Sequence, residues 1–303
     1  MWALYRRLPR KYRYQKCSPK ADNQEVVVML VVNAFESIRT KLLEVITESP
    51  TIKTFVLDCG GDFEFKTGQF VEVGLAGVGE GPFTPSCSHY TKNPIEITIM
   101  KTGYMTEKIH QIRKGAEVIL RGPYGNGYPL EKFEGKHILI VGGGVGLAPL
   151  RSLFLTLVHD IERYNGITVC FGARSPEDLI YKEQLKEWSK IKGVNLNLSV
   201  DKVPKGQKWS GNVGVVTTLL KPLELDVENT IAAVCGPPIM MKFTSLSLLE
   251  KGIAPSNLYL SMESKMYCGV GLCRHCTIEH YFVCKDGPVF TYDQFENPEA
   301  IWA

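Results

Sequence analysis

The stretch Lys136-His137-Ile138-Leu139-Ile140-Val141 runs without a break into Gly142-Gly143-Gly144-Val145-Gly146-Leu147-Ala148-Pro149, and an apolar run follows from Leu150 to Ile161. A short continuous apolar run ending in glycine reads as a strand buried on both faces, and the longer run after it as a helix. Strand, glycine turn and helix form the phosphate-binding unit of a nucleotide domain. The glycines let the backbone approach a pyrophosphate, and the positive end of the helix faces its charge. The spacing is G-G-G-x-G rather than G-x-G-x-x-G, so the turn by itself does not name the cofactor.

Downstream, strands are expected at Ile167–Gly172, Val194–Val200, Thr230–Cys235 and Leu258–Ser261, with helices at Glu177–Lys190, Val213–Leu220 and Met240–Glu250. That alternation predicts a doubly wound parallel sheet, assigned here to residues 133–262 as an NAD(P)-binding α/β domain. Ligands of such sheets sit beyond the carboxyl ends of the strands, where Gly142–Gly146, Gly172-Ala173-Arg174, Asp201 and Cys235-Gly236-Pro237 fall.

Upstream the rhythm is shorter. Leu42–Ile46, Ile52–Leu57, Gly68–Gly74, Ile95–Met100 and Glu117–Gly122 are β-rich runs punctuated by Gly and Pro. They predict a small antiparallel barrel over residues 37–132. Within it, Gly103 to Ile112 reads as a short helix with Thr106 near its start, and such a helix start suits a phosphate.

Beyond the sheet lies Cys268-Gly-Val-Gly-Leu-Cys273-Arg-His-Cys276, with Cys284 after it, a C-x4-C-x2-C-x7-C spacing. Two thiolates on each of two irons make a [2Fe–2S] site, and x4 followed by x2 opens the plant-type ferredoxin spacing. Gly269 and Gly271 allow a loop that wraps closely and aims backbone N–H groups at sulfur. Structural zinc is the main alternative, although zinc ribbons pair two C-x2-C knuckles and only one is present. A disulfide framework and buried free thiols are the remaining readings. His275 sits between two of the cysteines, but a Rieske centre needs two histidines in place of two cysteines, and all four cysteines are available. The metal ligands are thus expected to be Cys268, Cys273, Cys276 and Cys284, on a C-terminal module of residues 263–303.

Composition bounds the rest. A chain of 303 residues holds two packed domains and an appendage, and its net charge of +3 gives no argument for nucleic acid. Besides the four clustered cysteines, Cys17, Cys59, Cys87, Cys170 and Cys235 are scattered, which argues for a reducing, cytoplasmic compartment. The longest apolar run, Val26 to Val32, is seven residues and does not span a membrane. Residues 1–20 carry seven Lys/Arg and no acid, so residues 1–36 are set apart as a basic extension: a tail, an artefact of the start site or a docking arm for a partner subunit.

A nicotinamide gives a hydride, whereas an iron–sulfur cluster takes one electron at a time. A flavin converts between the two, and the barrel is the place left for it. At this point the chain resembles the ferredoxin-NADP reductase superfamily. More closely it is similar to the flavin-containing gamma subunits of cytosolic [NiFe]-hydrogenases (sulfhydrogenases) and the B subunit of anaerobic sulfite reductase, and more distantly to dihydroorotate dehydrogenase electron-transfer subunits. The blocks are GQFVEV (68–73), RGPYGNG (121–127), GGGVGLAPLRS (142–152), FGARSPEDLIYKEQL (171–185), GNVGVV (211–216), CGPPIMMKF (235–243), SMESKMYCGVGLCRHC (261–276) and FVCKDGPVF (282–290).

The resemblance implies FAD, with Phe83 packed on the isoalloxazine and Thr84 bonding near its hydride-accepting nitrogen. Gly81 stands where the superfamily motif has arginine, so the grip on pyrophosphate falls to Gly103, Met105 and Thr106. It implies that Gly142, Gly143, Gly144 and Gly146 hold the nicotinamide dinucleotide, NAD(H) or NADP(H), and that Cys235, with Gly236 and Pro237, lies beside the reactive nicotinamide carbon. Asp201 would accept from a ribose hydroxyl and repel a 2′-phosphate, which favours NADH, while Arg174 and Lys202 pull the other way. Glu263 would contact the flavin or cap a turn. Catalysis would rest on Cys235 and Thr84 as positioning groups, since hydride transfer needs no acid or base.

The implied function is an electron-transfer (diaphorase) subunit that works with catalytic and iron–sulfur subunits of a hydrogenase or sulfite/sulfur reductase complex. The alternatives are a dihydroorotate dehydrogenase-type electron-transfer subunit, a free-standing NAD(P)H-dependent reductase, a zinc-stabilised flavoprotein and a non-catalytic adaptor.

Overall fold

The computed structural model describes residues 34–302. Of the basic extension at 1–36, all but residues 34–36 lies outside the described residues, and so does its reading as a docking arm.

Six strands form the first sheet: β1 (Ser37–Thr47), β2 (Ile52–Asp58), β3 (Phe70–Leu75), β4 (Gly79–Phe83), β5 (Ile95–Met100) and β6 (Glu117–Tyr124). Their order is β4-β3-β6-β1-β2-β5, and every pair is antiparallel. Just after β4, Pro85 bridges Ile97 of β5 and the Ser86 N–H donates to the Glu96 carbonyl at 2.7 Å. The two edge strands thereby meet, and the sheet curls into a barrel. Its core is the inward set of each strand, including Leu42, Phe55, Leu57, Val71, Val73, Ile97 and Leu120. β4 is not foreshadowed, because Gly79-Glu-Gly-Pro-Phe83 is poor in β-formers; pairing with β3 from Val71↔Phe83 to Leu75↔Gly79 holds it. Helix α1 (Tyr104–Gln111) lies between β5 and β6.

The second sheet is the doubly wound one. Its strands are β7 (His137–Gly143), β8 (Ile167–Ala173), β9 (Val194–Val200), β10 (Asn212–Val213), β11 (Thr230–Cys235) and β12 (Leu258–Ser261), in the order β10-β9-β8-β7-β11-β12. All of these pairs are parallel. Helices α2 (Leu147–His159), α3 (Lys182–Trp188), α4 (Thr217–Leu220) and α5 (Pro238–Glu250) connect them.

Two helices are shorter than their patterns predict, and packing explains both. The expected start of α4 is spent on β10, where Asn212 and Val213 pair with Ser199 and Val200 of β9. The expected start of α3 is unwound: Tyr181 sits at φ +57, its N–H donating to Glu48 Oε2 at 2.8 Å and its hydroxyl 2.5 Å from Thr98 Oγ1. Bonds to the barrel thus outweigh local helix propensity.

The C-terminal segment carries a hairpin of β13 (Thr277–Ile278) and β14 (Tyr281–Phe282), the short helix α6 (Val283–Asp286) and β15 (Val289–Thr291). β15 joins the second sheet, antiparallel to β12. No helix among the described residues is long and apolar enough to cross a membrane.

Candidate functional site

From β7 the chain winds through α2 to β8 on one side, while β11 lies against β7 on the other. The crevice beyond their carboxyl ends is a topological switch point. Gly142 and Cys235 are register partners there. The turn leaving β7 packs directly on the turn leaving β11: a Cβ on Gly146 would lie 2.5 Å from the Cys235 carbonyl oxygen and 2.6 Å from Gly236 Cα. Only a hydrogen fits at Gly146, and Gly144, at φ +56, turns the chain back into α2.

These two turns divide two cavities. The larger, about 860 Å³, is lined by Gly143, Gly144, Gly172, Arg174, Asp201 and Pro237, together with Ile239, Met240 and Phe243 of α5. The smaller, about 260 Å³, lies on the barrel side and takes Val145, Ala148, Pro149 and Cys235 as its other wall. The barrel supplies Phe70, Phe83, Thr84, Thr98, Met100 and Thr102, and the C-terminal segment supplies Ser261, Met262, Glu263, Met266 and Pro288. Apolar faces with hydroxyls along the edge suit a planar aromatic ring that has a polar rim.

Phe83, Thr84 and Cys235 therefore converge on one cavity, and Asp201, Gly143, Gly144 and Pro237 on the other. Cys235 is 2% exposed, and burial pushes its thiol above the ordinary range, so it is present as the neutral thiol. Glu263 lines the same cavity as an exposed residue, and partial desolvation there raises its carboxyl.

Gly103, Met105 and Thr106 stand beside the smaller cavity rather than in its wall. Met105 accounts for the missing arginine: its Cε lies 2.7 Å from where a Cβ on Gly81 would be, so the methyl fills that space. The Thr106 hydroxyl is committed to its own helix, accepting from the Thr102 and Gly103 N–H groups at 2.9 and 3.0 Å and donating to the Gly103 carbonyl at 2.9 Å. What α1 offers an anion is backbone N–H at its first turn, not the Thr106 side chain.

The cysteine loop lies across the barrel's last strand. Cys268, Cys276 and Cys284 are buried and Cys273 is exposed. Among the described residues no three or more His, Cys, Asp or Glu side chains gather as a cage for a single ion. Backbone N–H groups aim at sulfur: Gly271 donates to Cys284 Sγ at 3.1 Å, and Leu272 and Cys273 donate to Cys268 Sγ at 3.2 and 3.5 Å. The neighbouring Cys284, whose N–H donates to Cys276 Sγ at 3.4 Å, lowers the Cys276 thiol. Burial pushes Cys268 up, but the amide bonds outweigh it and its thiol is lowered. Such donors favour thiolate, the form that binds metal. His275 points elsewhere, its exposed ring edge-on to Tyr267 with centroids 4.9 Å apart.

Sequence reasoning missed the groups that join these parts. Asn126 donates to the Asp286 and Val289 carbonyls at 2.9 and 2.8 Å and accepts from the Val289 N–H at 3.1 Å, tying the end of the barrel to the cysteine segment. Phe70 lines the smaller cavity and also packs in the apolar core that holds Cys268, Cys276 and Cys284. The blocks RGPYGNG and GQFVEV contain both residues, but only the fold shows what they touch.

The chain matches two families over these parts: the oxidoreductase NAD-binding domain over residues 140–246 and the iron–sulfur cluster binding domain of dihydroorotate dehydrogenase B over residues 263–296. It is 37% identical to the sulfhydrogenase 2 gamma subunit of Pyrococcus furiosus, over 86% of this chain and 96% of that one. It is 35% identical to a probable dihydroorotate dehydrogenase B (NAD(+)) electron transfer subunit of Methanocaldococcus jannaschii, over 84% and 90%. Among solved structures, a chain of the NADH-dependent reduced ferredoxin-NADP oxidoreductase, described in connection with flavin-based electron bifurcation, superposes with a TM-score of 0.68 at 26% identity, over 86% of this chain and 95% of that one. With its barrel, its NAD-binding sheet and its iron–sulfur-binding segment, the chain belongs to the ferredoxin-NADP reductase-like family of oxidoreductase electron-transfer subunits that includes the sulfhydrogenase gamma and dihydroorotate dehydrogenase B electron-transfer subunits.

Proposed function

We propose that the chain carries electrons between a nicotinamide dinucleotide in the larger cavity and a partner catalytic subunit of hydrogenase or sulfite/sulfur reductase type. The route runs through FAD in the smaller cavity and a [2Fe–2S] cluster on Cys268, Cys273, Cys276 and Cys284. The observation that carries the reading is the shared wall: the turns at 142–149 and 235–237 line both cavities, and Phe70 joins the smaller cavity to the cysteine core. When bound, the flavin supplies the exchange between hydride and single electrons, and the cluster supplies a one-electron site.

The chain's own residues position. The Gly143–Gly146 turn and the start of α2 present backbone N–H to a pyrophosphate. Neutral Cys235 closes the cavity without adding charge beside a reacting nicotinamide. Phe83 and Phe70 exclude water from the ring, and Thr84 supplies a hydroxyl at its edge. A single C-x2-C knuckle after an x4 loop supports two irons over a single zinc. Asp201 lines the larger cavity, where its carboxylate would accept from a ribose hydroxyl and repel a 2′-phosphate; this supports NADH over NADPH, against Arg174 and Lys221 in the same wall. The reading also divides the chain at 37–132, 133–262 and 263–303, and places it in the cytoplasm, where its scattered cysteines stay reduced. The dihydroorotate dehydrogenase-type partner remains the second reading, because residues 263–296 match that enzyme's cluster-binding domain.

Anaerobic reconstitution of the full chain with FAD, iron and sulfide tests this. NADH should bleach the flavin and then the cluster, about tenfold more effectively than NADPH, a preference of about 1.4 kcal/mol. A protein that takes up zinc but no iron, or binds no flavin, would sink the assignment. Co-purification from the native cell identifies the partner: a hydrogenase or sulfur-reducing subunit supports the first reading, and an orotate-site subunit replaces it with the second.

A further inference from the structure

Strand β3 has two faces. Val71 and Val73 point into the barrel core, while Phe70 and Glu72 point the other way. On that outer face Phe70 packs on Tyr124, ring centroids 5.6 Å apart, and the cysteine loop rests on the same tyrosine: a Cβ on Gly269 would lie 2.8 Å from its ring. Glu72 is the next outward residue, opposite Arg121 in register, and it is 0% exposed. Among the described residues, neither of its carboxyl oxygens has a hydrogen-bond partner.

The nearby guanidinium is committed elsewhere. Arg121 gives Nε and Nη2 to Glu80 at 2.9 and 2.5 Å, Nη1 to the Tyr124 hydroxyl at 2.9 Å and Nη2 to the Tyr267 carbonyl of the cysteine loop at 3.0 Å. A buried carboxyl without a donor is far cheaper as the neutral acid than as the anion. The charged and titratable groups around it are Glu80 on β4, Arg121 on β6, and Cys268 and Cys276 on the loop. Burial first, then Glu80, push the carboxyl up to about 8; Arg121 opposes this and the two cysteines add to it.

We propose that Glu72 sets the reduction potential of the cluster through its protonation state: as a neutral acid it leaves the cluster easy to reduce, and as an anion it opposes the arriving electron. This rests on the cluster assignment above. The two equilibria are linked and reciprocal, so an electron on the cluster also tightens proton binding at Glu72. In alkaline solution, one electron entering the cluster is then accompanied by one proton from solvent, which forms an O–H bond on the Glu72 carboxylate. The proton is released when the electron passes to the partner subunit. In neutral solution the acid is already protonated, and the electron moves without a proton.

The test is a redox titration of the cluster in the full-length reconstituted chain, followed by electron paramagnetic resonance from about pH 6 to pH 10. In the wild type the potential should be level at low pH and fall above about pH 8, the reduced-to-oxidised ratio at fixed potential dropping by up to about tenfold per pH unit. Glu72→Gln should stay level throughout, near the wild type's low-pH potential, and Glu72→Asp should restore a slope. A level wild type, or a slope that survives in Glu72→Gln, overturns the proposal. A wild type with no reducible iron–sulfur signal overturns the cluster assignment with it, and that signal tells the two failures apart. If Glu72→Gln does not load the cluster, infrared difference spectra of the wild type decide. A protonated-carboxyl band at neutral pH that is lost on alkalinisation supports Glu72, and its absence overturns it.

Discussion

The turn after β7 and the cysteine loop both depend on glycine, yet they are built differently. The 142–146 turn is pressed between two buried strands. Its shape follows from contacts that exist without any ligand, such as Gly146 against the Cys235 carbonyl. The cysteine loop has exposed residues from Leu272 to His275, and its N–H groups are spent on Cys268 and Cys284 sulfur at 3.1–3.5 Å. Below it, Cys268, Val270 and Cys276 enter the apolar core, with Tyr124 under Gly269 and Lys285 and Phe282 under Gly271. The turn is therefore shaped by the hydrophobic core throughout. The loop is anchored in the core, but its exposed arc is shaped by polar bonds to the atoms that would hold metal, so the order of that arc depends on what it holds.

The largest test of that contrast is Cys284→Ser. Cys284 is 1% exposed and accepts the Gly271 N–H, so its loss removes both a proposed ligand and an anchor of the loop. Iron and labile sulfide should fall to roughly a tenth or less, while nicotinamide binding changes by less than about twofold. An equal loss at both sites would erase the distinction.

Gly146→Ala is the converse and milder. Its methyl would meet the Cys235 carbonyl at 2.5 Å, overpacking that costs about 1–3 kcal/mol. NADH affinity should drop about tenfold by fluorescence titration, with iron content unchanged. Iron lost along with it would mean that the core governs the loop after all.

Asn126→Ala is the smallest and tests the join. It removes two donated hydrogen bonds and one accepted bond, worth about 1–3 kcal/mol together. The effect should fall on the loop, as faster loss of iron to a chelator with little change in flavin reduction by NADH. A slowed flavin reduction with a stable cluster would place the clamp's role in the barrel instead.

Much of this was legible from residue order. The G-G-G-x-G turn, the alternation from Lys136 to Ser261 and the cysteine spacing are local patterns, and a strand–turn–helix or a four-thiol loop is specified within a short stretch. What the residue order did not show shares one cause. Thr106 has the right position for a phosphate helix, but its hydroxyl turns back on Gly103. Residues 177–181 have helical composition, but Glu48 and Thr98 of the barrel pull Tyr181 out of the helix. β15 joins the nucleotide sheet although its sequence neighbours belong to the cysteine segment.

By itself, then, the sequence determined which ligand chemistries the chain carries and where along it they lie, because periodicity, glycine and cysteine spacing act over a few residues. Only the tertiary structure decided which of them meet. It put Cys235 and Phe83 on one cavity, Met105 over Gly81, and Asn126 on the cysteine segment. It also left Glu72 without a partner among the described residues, beside the loop. Such pairings join residues far apart in the chain, and their stability comes from burial and hydrogen bonds that no local pattern encodes.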